Sequence, residues 1–158
     1  MNQEYFSIQL SSTTNLAIPL ANMGAVVQFD ADNVCVVPGV AEFWYGVVNF
    51  KGSLLWILDS DRYFRLDSTQ KLLTRKLTAV ILKQQQKQSK KQVAIVVQQL
   101  GGIVELEENI LEESGNNIVP NLANCSVLTN IIETKKTYIL NPSNLLQQIN
   151  EQSSLISV

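Results

Sequence analysis

Leu16-Ala17-Ile18-Pro19-Leu20-Ala21-Asn22-Met23-Gly24-Ala25-Val26-Val27-Gln28-Phe29 is echoed, 77 residues later and without a gap, by Val93-Ala94-Ile95-Val96-Val97-Gln98-Gln99-Leu100-Gly101-Gly102-Ile103-Val104-Glu105-Leu106. Ala, Ile and Gly recur identically, and nearly every other apolar position stays apolar. A repeat at constant spacing means that one structural unit was used twice, so the chain reads as two similar halves. Further out, Trp56-Ile57-Leu58-Asp59 is matched by Tyr138-Ile139-Leu140-Asn141, and Tyr63-Phe64 by Leu145-Leu146, now 82 residues apart. Each half therefore ends in an apolar strand, a capping Asp or Asn, and a helix. The spacing grows because the second half has a longer middle loop around Glu112–Asn124, which carries Gly115, Pro120 and many Asn. The halves meet near Leu66–Leu73, which puts the first at about 12–70 and the second at about 74–150, with a strand at about 4–10 shared between them.

Strand signals dominate both halves. Phe6, Ile8 and Leu10 alternate with Ser7 and Gln9, the pattern of a half-buried strand. Leu16–Leu20 and Ala25–Phe29 read as two more strands, with Pro19 at an edge or bulge because it cannot donate to a ladder. Val47–Phe50 and Leu54–Leu58 flank Lys51-Gly52-Ser53, a short hairpin turn. Leu77–Leu82 and Val93–Val97 flank a Lys- and Gln-rich stretch, 83–92, that reads as a solvated hairpin tip. Helices are few: one after Asp59, and one after Asn141-Pro142, an N-cap followed by proline at the first helical position. In the latter, Leu145, Leu146 and Ile149 share one face. Many short strands, duplicated, predict two small barrels or a sandwich.

Composition excludes several function classes. A net charge of −2 and no aromatic residue among the lysines of 83–92 argue against nucleic acid, which needs a basic face and stacking platforms. No apolar run approaches the roughly 20 residues of a membrane helix, so no membrane insertion is expected. The N-terminus lacks the basic start and apolar stretch of a secretion signal, and a cytoplasmic location is expected. Cys35 and Cys125 are far apart and read as free thiols, and the sequon Asn124-Cys125-Ser126 carries no weight without secretion.

The chain has no histidine, which removes the commonest general base and metal ligand. There is no CxxC spacing for zinc and no phosphate loop, and Gly101-Gly102 lacks the third glycine of a dinucleotide loop. Asp59-Ser60-Asp61 begins like a calcium loop, but the required glycine and closing glutamate do not follow. Glu105, Glu107, Glu108, Glu112 and Glu113 form an acidic cluster that reads as a solvated face, with a divalent-metal patch, a docking surface for a basic partner or a carboxylate-based hydrolase as alternatives. No catalytic residue, metal or cofactor is expected.

Val37-Pro38, then Phe43-Trp44-Tyr45-Gly46-Val47-Val48-Asn49-Phe50-Lys51-Gly52 and Leu54-Leu55-Trp56-Ile57-Leu58-Asp59, resemble the CheW-like family, whose hallmark is Gly-Val-Ile-Asn-Leu-Arg-Gly before an apolar strand ending in Asp-Leu. The resemblance covers about residues 4–150, and the duplicated passages lie on either side of the hallmark as they do in the family. It implies a mainly β fold of two pseudo-symmetric, five-stranded SH3-like barrels with short helices. It also implies a non-catalytic adaptor, cytoplasmic and recruited to membrane receptor arrays. Such adaptors couple a chemoreceptor or photoreceptor of the methyl-accepting type to a CheA-type histidine kinase. The first barrel docks on the kinase's regulatory domain, and a groove between the barrels takes the receptor's cytoplasmic tip. The Gln-rich composition suits a cyanobacterial member, where such systems serve phototaxis or pilus motility. The competing reading is a CheW-like module that regulates a different complex outside chemotaxis.

Departures from the family pattern mark this copy. Lys51 stands where the family has arginine, and Ala25 where glutamate is common. The two changes are coherent together: removing one member of a partly buried charge pair alone strands the other at a cost of about 3–5 kcal/mol, and trading the rigid guanidinium for a flexible lysine, which can carry its ammonium out to water, relieves that cost when the glutamate is lost. Ala94 and Gln98 replace residues that are often glycine and aspartate. The interaction residues singled out are Ala25, Val27, Trp44, Asn49, Lys51 and Arg62. Trp44 is expected to be an exposed aromatic anchor, with Phe43 and Tyr45 in the core. Arg62 reads as a solvated helix residue, with partner contact as the alternative.

Overall fold

Apolar alternation and paired turns organise the chain into ten strands and three helices, seen in a computed structural model that describes residues 2–66, 75–83, 92–107, 110–111 and 120–154. In order these are β1 (Asn2–Gln9), β2 (Thr14–Pro19), β3 (Met23–Asp30), β4 (Trp44–Phe50), β5 (Ser53–Leu58) and α1 (Ser60–Tyr63). The second half follows as β6 (Lys76–Leu82), β7 (Gln92–Val97), β8 (Gln99–Glu107), α2 (Pro120–Ala123), β9 (Ser126–Ile132), β10 (Lys135–Leu140) and α3 (Pro142–Ser154). The Lys- and Gln-rich tip at 84–91, the boundary segment 67–74 and most of the long loop, 112–119, lie outside the described residues. α2 occupies the end of the stretch expected to be loop.

The fold is mainly β, with two five-stranded sheets ordered β8-β1-β2-β10-β9 and β3-β6-β7-β5-β4. The repeat explains both. If β1 to β5 correspond to β6 to β10, each sheet order maps onto the other. The register agrees: Tyr5 pairs with Val104 as Ala79 pairs with Val27, and Ile139 pairs with Ala17 as Ile57 pairs with Ala94. Sheet membership cuts across the sequence halves, because 12–70 and 74–150 each contribute strands to both sheets. β1 bonds to one strand from each half. The parallel β5·β7 and β2·β10 pairs join the halves within each sheet.

The two glycines of the repeat serve one purpose. A Cβ on Gly24 would sit 2.9 Å from the Ile81 carbonyl oxygen, and one on Gly101 would sit 3.0 Å from that of Ser7. Both lie where an edge strand presses against its neighbour at a register shift. Pro19 pairs with Tyr5 of β1, while the β10 ladder stops at Ala17, so the missing N–H falls beyond the doubly paired stretch.

The larger core joins the sheets. It draws Ile8, Leu16 and Ile18 from one sheet and Val80, Leu82, Val93 and Ile95 from the other, with Tyr63, Phe64, Leu145 and Ile149 from the helices. Each such side chain contributes about 1.5–3 kcal/mol on burial. A smaller core, Val27, Val48, Leu55, Ile57, Ala79, Ile81 and Ala94, belongs wholly to the β3–β7 sheet. Strand alternation sorts β7 between the two: Val93 and Ile95 face the larger core, and Ala94 the smaller.

The helices follow the expected caps. Asp59 Oδ1 accepts from the Arg62 N–H at 3.3 Å, and Asn141 Oδ1 from the Asn144 N–H at 3.1 Å. A polar network then ties α1 to α2 and α3. Gln148 Nε2 donates to Tyr63 Oη at 2.6 Å, Asn121 Nδ2 to the Tyr63 carbonyl at 2.8 Å, and Gln152 Nε2 to Asn121 Oδ1 at 2.9 Å. Burial holds the Tyr63 phenol well above its ordinary pKa, so it stays neutral as the centre of this link.

Candidate interaction surface

The β4–β5 turn consists of Lys51 and Gly52, with φ of +50° and +81°. Two left-handed residues make the turn whose twist matches the flanking strands. Asn49 Oδ1 accepts from the Gly52 N–H at 3.1 Å, which closes the turn on the strand. Lys51 is exposed, and its Nζ lies 5.3 Å from the Phe50 ring centroid. An ammonium over a ring in solvent gains about 0.5–1 kcal/mol. The tip thus presents a positive charge held against an aromatic face.

β3 and β4 are the two edges of their sheet, yet residues of both line one cleft of about 290 Å³. The sheet is curled, and the cleft is the seam where its edges approach. Val27, Phe29, Val48, Phe50 and Leu55 form apolar walls, and Gln28, Asn33 and Asn49 add polar groups. Of the residues singled out in the sequence, Val27 and Asn49 therefore meet here, with Lys51 following directly on Phe50. Val27 is buried in the cleft wall rather than presented to solvent, while Asn49 is exposed. Ala25 is exposed farther along β3, at the irregularity between Met23 and Val26.

Trp44 corrects the sequence reading. It is 6% exposed, whereas Tyr45, expected in the core, is 37% exposed. The cause is a β-bulge: Trp44 pairs with Leu58 and Gly46 with Ile57, which leaves Tyr45 as the extra residue, turned outward. Trp44 packs instead against Phe43 and Trp56, with ring centroids 5.4 Å and 5.2 Å away. Gly46 makes the bulge possible. Its φ is +150°, and a Cβ there would lie 2.4 Å from the Cys35 carbonyl oxygen. The Cys35 segment covers the β4 edge through reciprocal bonds with Val47 of 2.8 and 2.9 Å.

Arg62 stands apart from the cleft on α1. It is exposed, with Nε 3.8 Å from Asp59 Oδ2 and Nη1 donating to the Glu42 carbonyl at 3.5 Å. Such an exposed pair adds little stability. Sequence reasoning missed Phe29, Phe50 and Asn33 as cleft walls and Tyr45 as the outward aromatic. Phe29 and Phe50 could have been found from their alternation with Gln28 and Asn49, but Tyr45 could not.

Glu105 and Glu107 are exposed on β8, and Glu108, Glu112 and Glu113 lie outside the described residues. Among the described residues no three of His, Cys, Asp and Glu converge as metal ligands, and no helix is long and apolar enough to cross a membrane. Cys35 and Cys125 are both free thiols, the first exposed and the second buried.

Residues 4–150 match the family described as CheW-like domain. The chain belongs to the CheW-like family. The scaffolding protein TtCheW from Thermoanaerobacter tengcongensis is similar in structure, with a TM-score of 0.66 at 13% identity, covering 89% of each chain. At that identity the likeness concerns the fold, and it bears out the double five-stranded architecture. No curated protein matches this chain. The CheW-like hallmark falls on β4, the Lys51–Gly52 turn and β5, the elements that build the cleft and its charged tip.

Proposed function

We propose that this protein is a non-catalytic signalling adaptor that couples a methyl-accepting receptor to a CheA-type histidine kinase. The observation that carries the reading is the family match over 4–150, with the hallmark hairpin forming a cleft beside an exposed Asn49 and Lys51. The barrel built on β3–β7 docks on the kinase's regulatory domain through this cleft and tip. The groove between the two sheets receives the receptor's cytoplasmic tip. Lysine in place of arginine keeps the charge but gives up the planar, bidentate fork, so the contact is re-specified towards point-charge pairing. No chemistry is required of the adaptor itself, because kinase output follows from the geometry imposed by simultaneous binding.

The test is calorimetric titration with the regulatory domain of the CheA-type kinase from the same genome, without nucleotide. Binding is expected, and Lys51→Glu should weaken it by about tenfold, or 1.4 kcal/mol. No detectable binding to any such kinase overturns the adaptor reading.

A further inference from the structure

β9 lies at the outer end of its sheet, as β4 does in the other, and the repeat lets the two edges be compared residue by residue. On β4, Gly46, Asn49 and Phe50 stand opposite Ile57, Leu54 and Ser53. On β9, Val127, Ile131 and Ile132 stand opposite Ile139, Lys136 and Lys135. The turn that follows is reversed in charge: Glu133, with a φ of +57°, takes the place of Lys51, with +50°. A covering segment recurs too. The Leu111 N–H donates to the Leu128 carbonyl at 2.8 Å, as the Cys35 N–H does to that of Val47.

The β4 edge is blunted. Asn49 is polar, Phe50 is half-buried, and Val34 settles over Gly46, with its Cγ1 2.6 Å from where a Cβ would stand. The β9 edge is not. Val127 has a side chain in the place of Gly46, and Ile110, which precedes Leu111 as Val34 precedes Cys35, is turned out and 73% exposed. Ile132 is 65% exposed, and Leu111, Val127 and Ile131 are exposed as well. Five aliphatic side chains thus line one edge. β9 is tied on this side at Leu128 and at Thr129, whose Oγ1 donates to the Glu107 carbonyl at 2.9 Å. From Asn130 to Ile132 it pairs with no strand but β10 among the described residues. An exposed apolar edge of this kind is a template for another strand.

We propose that the β9 edge is an interface between two copies of this chain, joined about a twofold axis with their β9 strands antiparallel. Charge selects a second copy as the occupant. The exposed ionisable side chains beside the aliphatic ones, Glu133 and Lys135, are opposite in sign, so the edge neither attracts a strongly charged partner nor repels its own copy. About a twofold axis each surface meets itself reversed, and an aliphatic edge with balanced charge is complementary to itself. The isoleucines then meet at the centre and the charges lie on the rim. Five side chains make a small centre against the roughly 800 Å² that each partner of a stable pair buries, so the dimer is weak, with a Kd of about 10–100 μM.

The test is sedimentation equilibrium of this chain alone, from about 1 μM to about 1 mM. The average mass should climb with concentration and level at two copies. Ile131→Asn imports the residue of the other edge, and Ile132→Lys sets a charge at the centre of the contact. Each should weaken the dimer by at least about tenfold, with circular dichroism confirming that the variant is folded. Lys51→Glu, on the other barrel, should leave the dimer unchanged. The proposal is overturned if the chain stays monomeric throughout, if the mass climbs past two copies as a head-to-tail contact would make it, or if both folded variants dimerise like the parent. It is also overturned if the chain alone is monomeric and Ile132→Lys instead abolishes binding to the kinase's regulatory domain, which would make that domain the occupant. Sedimentation of the chain alone involves neither kinase nor receptor, so its failure leaves the adaptor reading untouched, and failed kinase binding leaves the dimer untouched.

Discussion

In the β3-β6-β7-β5-β4 sheet, the small core is built from Val27, Val48, Leu55, Ile57, Ala79, Ile81 and Ala94. The same register positions in the other sheet carry Val104, Asn130, Thr137, Ile139, Tyr5, Ser7 and Ala17. One barrel interior is wholly apolar, and the other has exchanged Val, Leu, Ala and Ile for Asn, Thr, Tyr and Ser. Strand pairing is thus retained by the backbone register, while the interior is free to diverge once a second core supports the sheet. That support is the larger core between the sheets, to which both contribute. The apolar barrel carries the CheW-like hallmark on β4 and β5.

The largest effect is expected at Gly46, where the halves differ most. Gly46→Ala places a Cβ 2.4 Å from the Cys35 carbonyl oxygen at a φ of +150°, so the segment covering β4 must move. The cost should be about 4 kcal/mol from strain and overpacking together, measured by urea unfolding. In the ladder register the other sheet holds Val127 there, opposite Ile139 as Gly46 is opposite Ile57, and Val127 is 41% exposed, so the requirement for glycine belongs to the β3-β6-β7-β5-β4 sheet alone. A Gly46→Ala variant as stable as the parent would show that the bulge is not set by this contact.

Next comes exchange of the interiors. Leu55→Thr and Val48→Asn bring the second barrel's residues into the first and should each cost about 3 kcal/mol through lost burial and an unpaired polar group. The reverse change, Asn130→Val, should be neutral or stabilising by about 1 kcal/mol. Equal losses in both directions would mean that the two interiors are equally specified.

A smaller effect follows from Cys125, whose first-half counterpart, Phe43, cannot titrate. Burial, partly offset by a backbone hydrogen bond, pushes the Cys125 thiol up from 9.0 to about 12. A group whose folded pKa is raised stabilises the fold fully below its unfolded value and loses that contribution as pH climbs towards the folded value. Stability should therefore be level below about pH 9 and fall by about 1 kcal/mol by about pH 10. Cys125→Ala should lower stability at neutral pH but remove the decline between pH 9 and 10. A decline that persists in the variant would assign it to another group.

The smallest change in stability is expected at Lys51. Lys51→Asn places the preferred Asn-Gly pair in the turn and should stabilise it by about 0.5 kcal/mol. It should nonetheless weaken kinase binding in calorimetry, because the tip loses its charge. Unchanged affinity would remove Lys51 from the contact.

Much of this was legible in the residues. The Ala17 and Ala94 echo located the equivalent strands, and Asp59 and Asn141 marked both helix starts because capping is a local interaction. Trp44 and Tyr45 exchange the places that alternation predicts for them. Alternation predicts facing only while the ladder is regular, and the bulge at Tyr45 shifts the phase by one residue. The cleft was half legible: Asn49 and Lys51 stood out through the hallmark, but only the curl of the sheet brings Val27 and Phe29 to Asn49.

The amino-acid sequence alone determined the duplication, the strand and cap positions, the CheW-like family and the absence of histidine, all of which depend on local pattern or composition. Only the tertiary structure decided that each sheet takes strands from both halves and that Trp44 is interior. These depend on contacts between residues distant in sequence. Ala17 meets Ile139 across a parallel pair, and Gly46 meets Cys35 across an edge, encounters that no local pattern encodes.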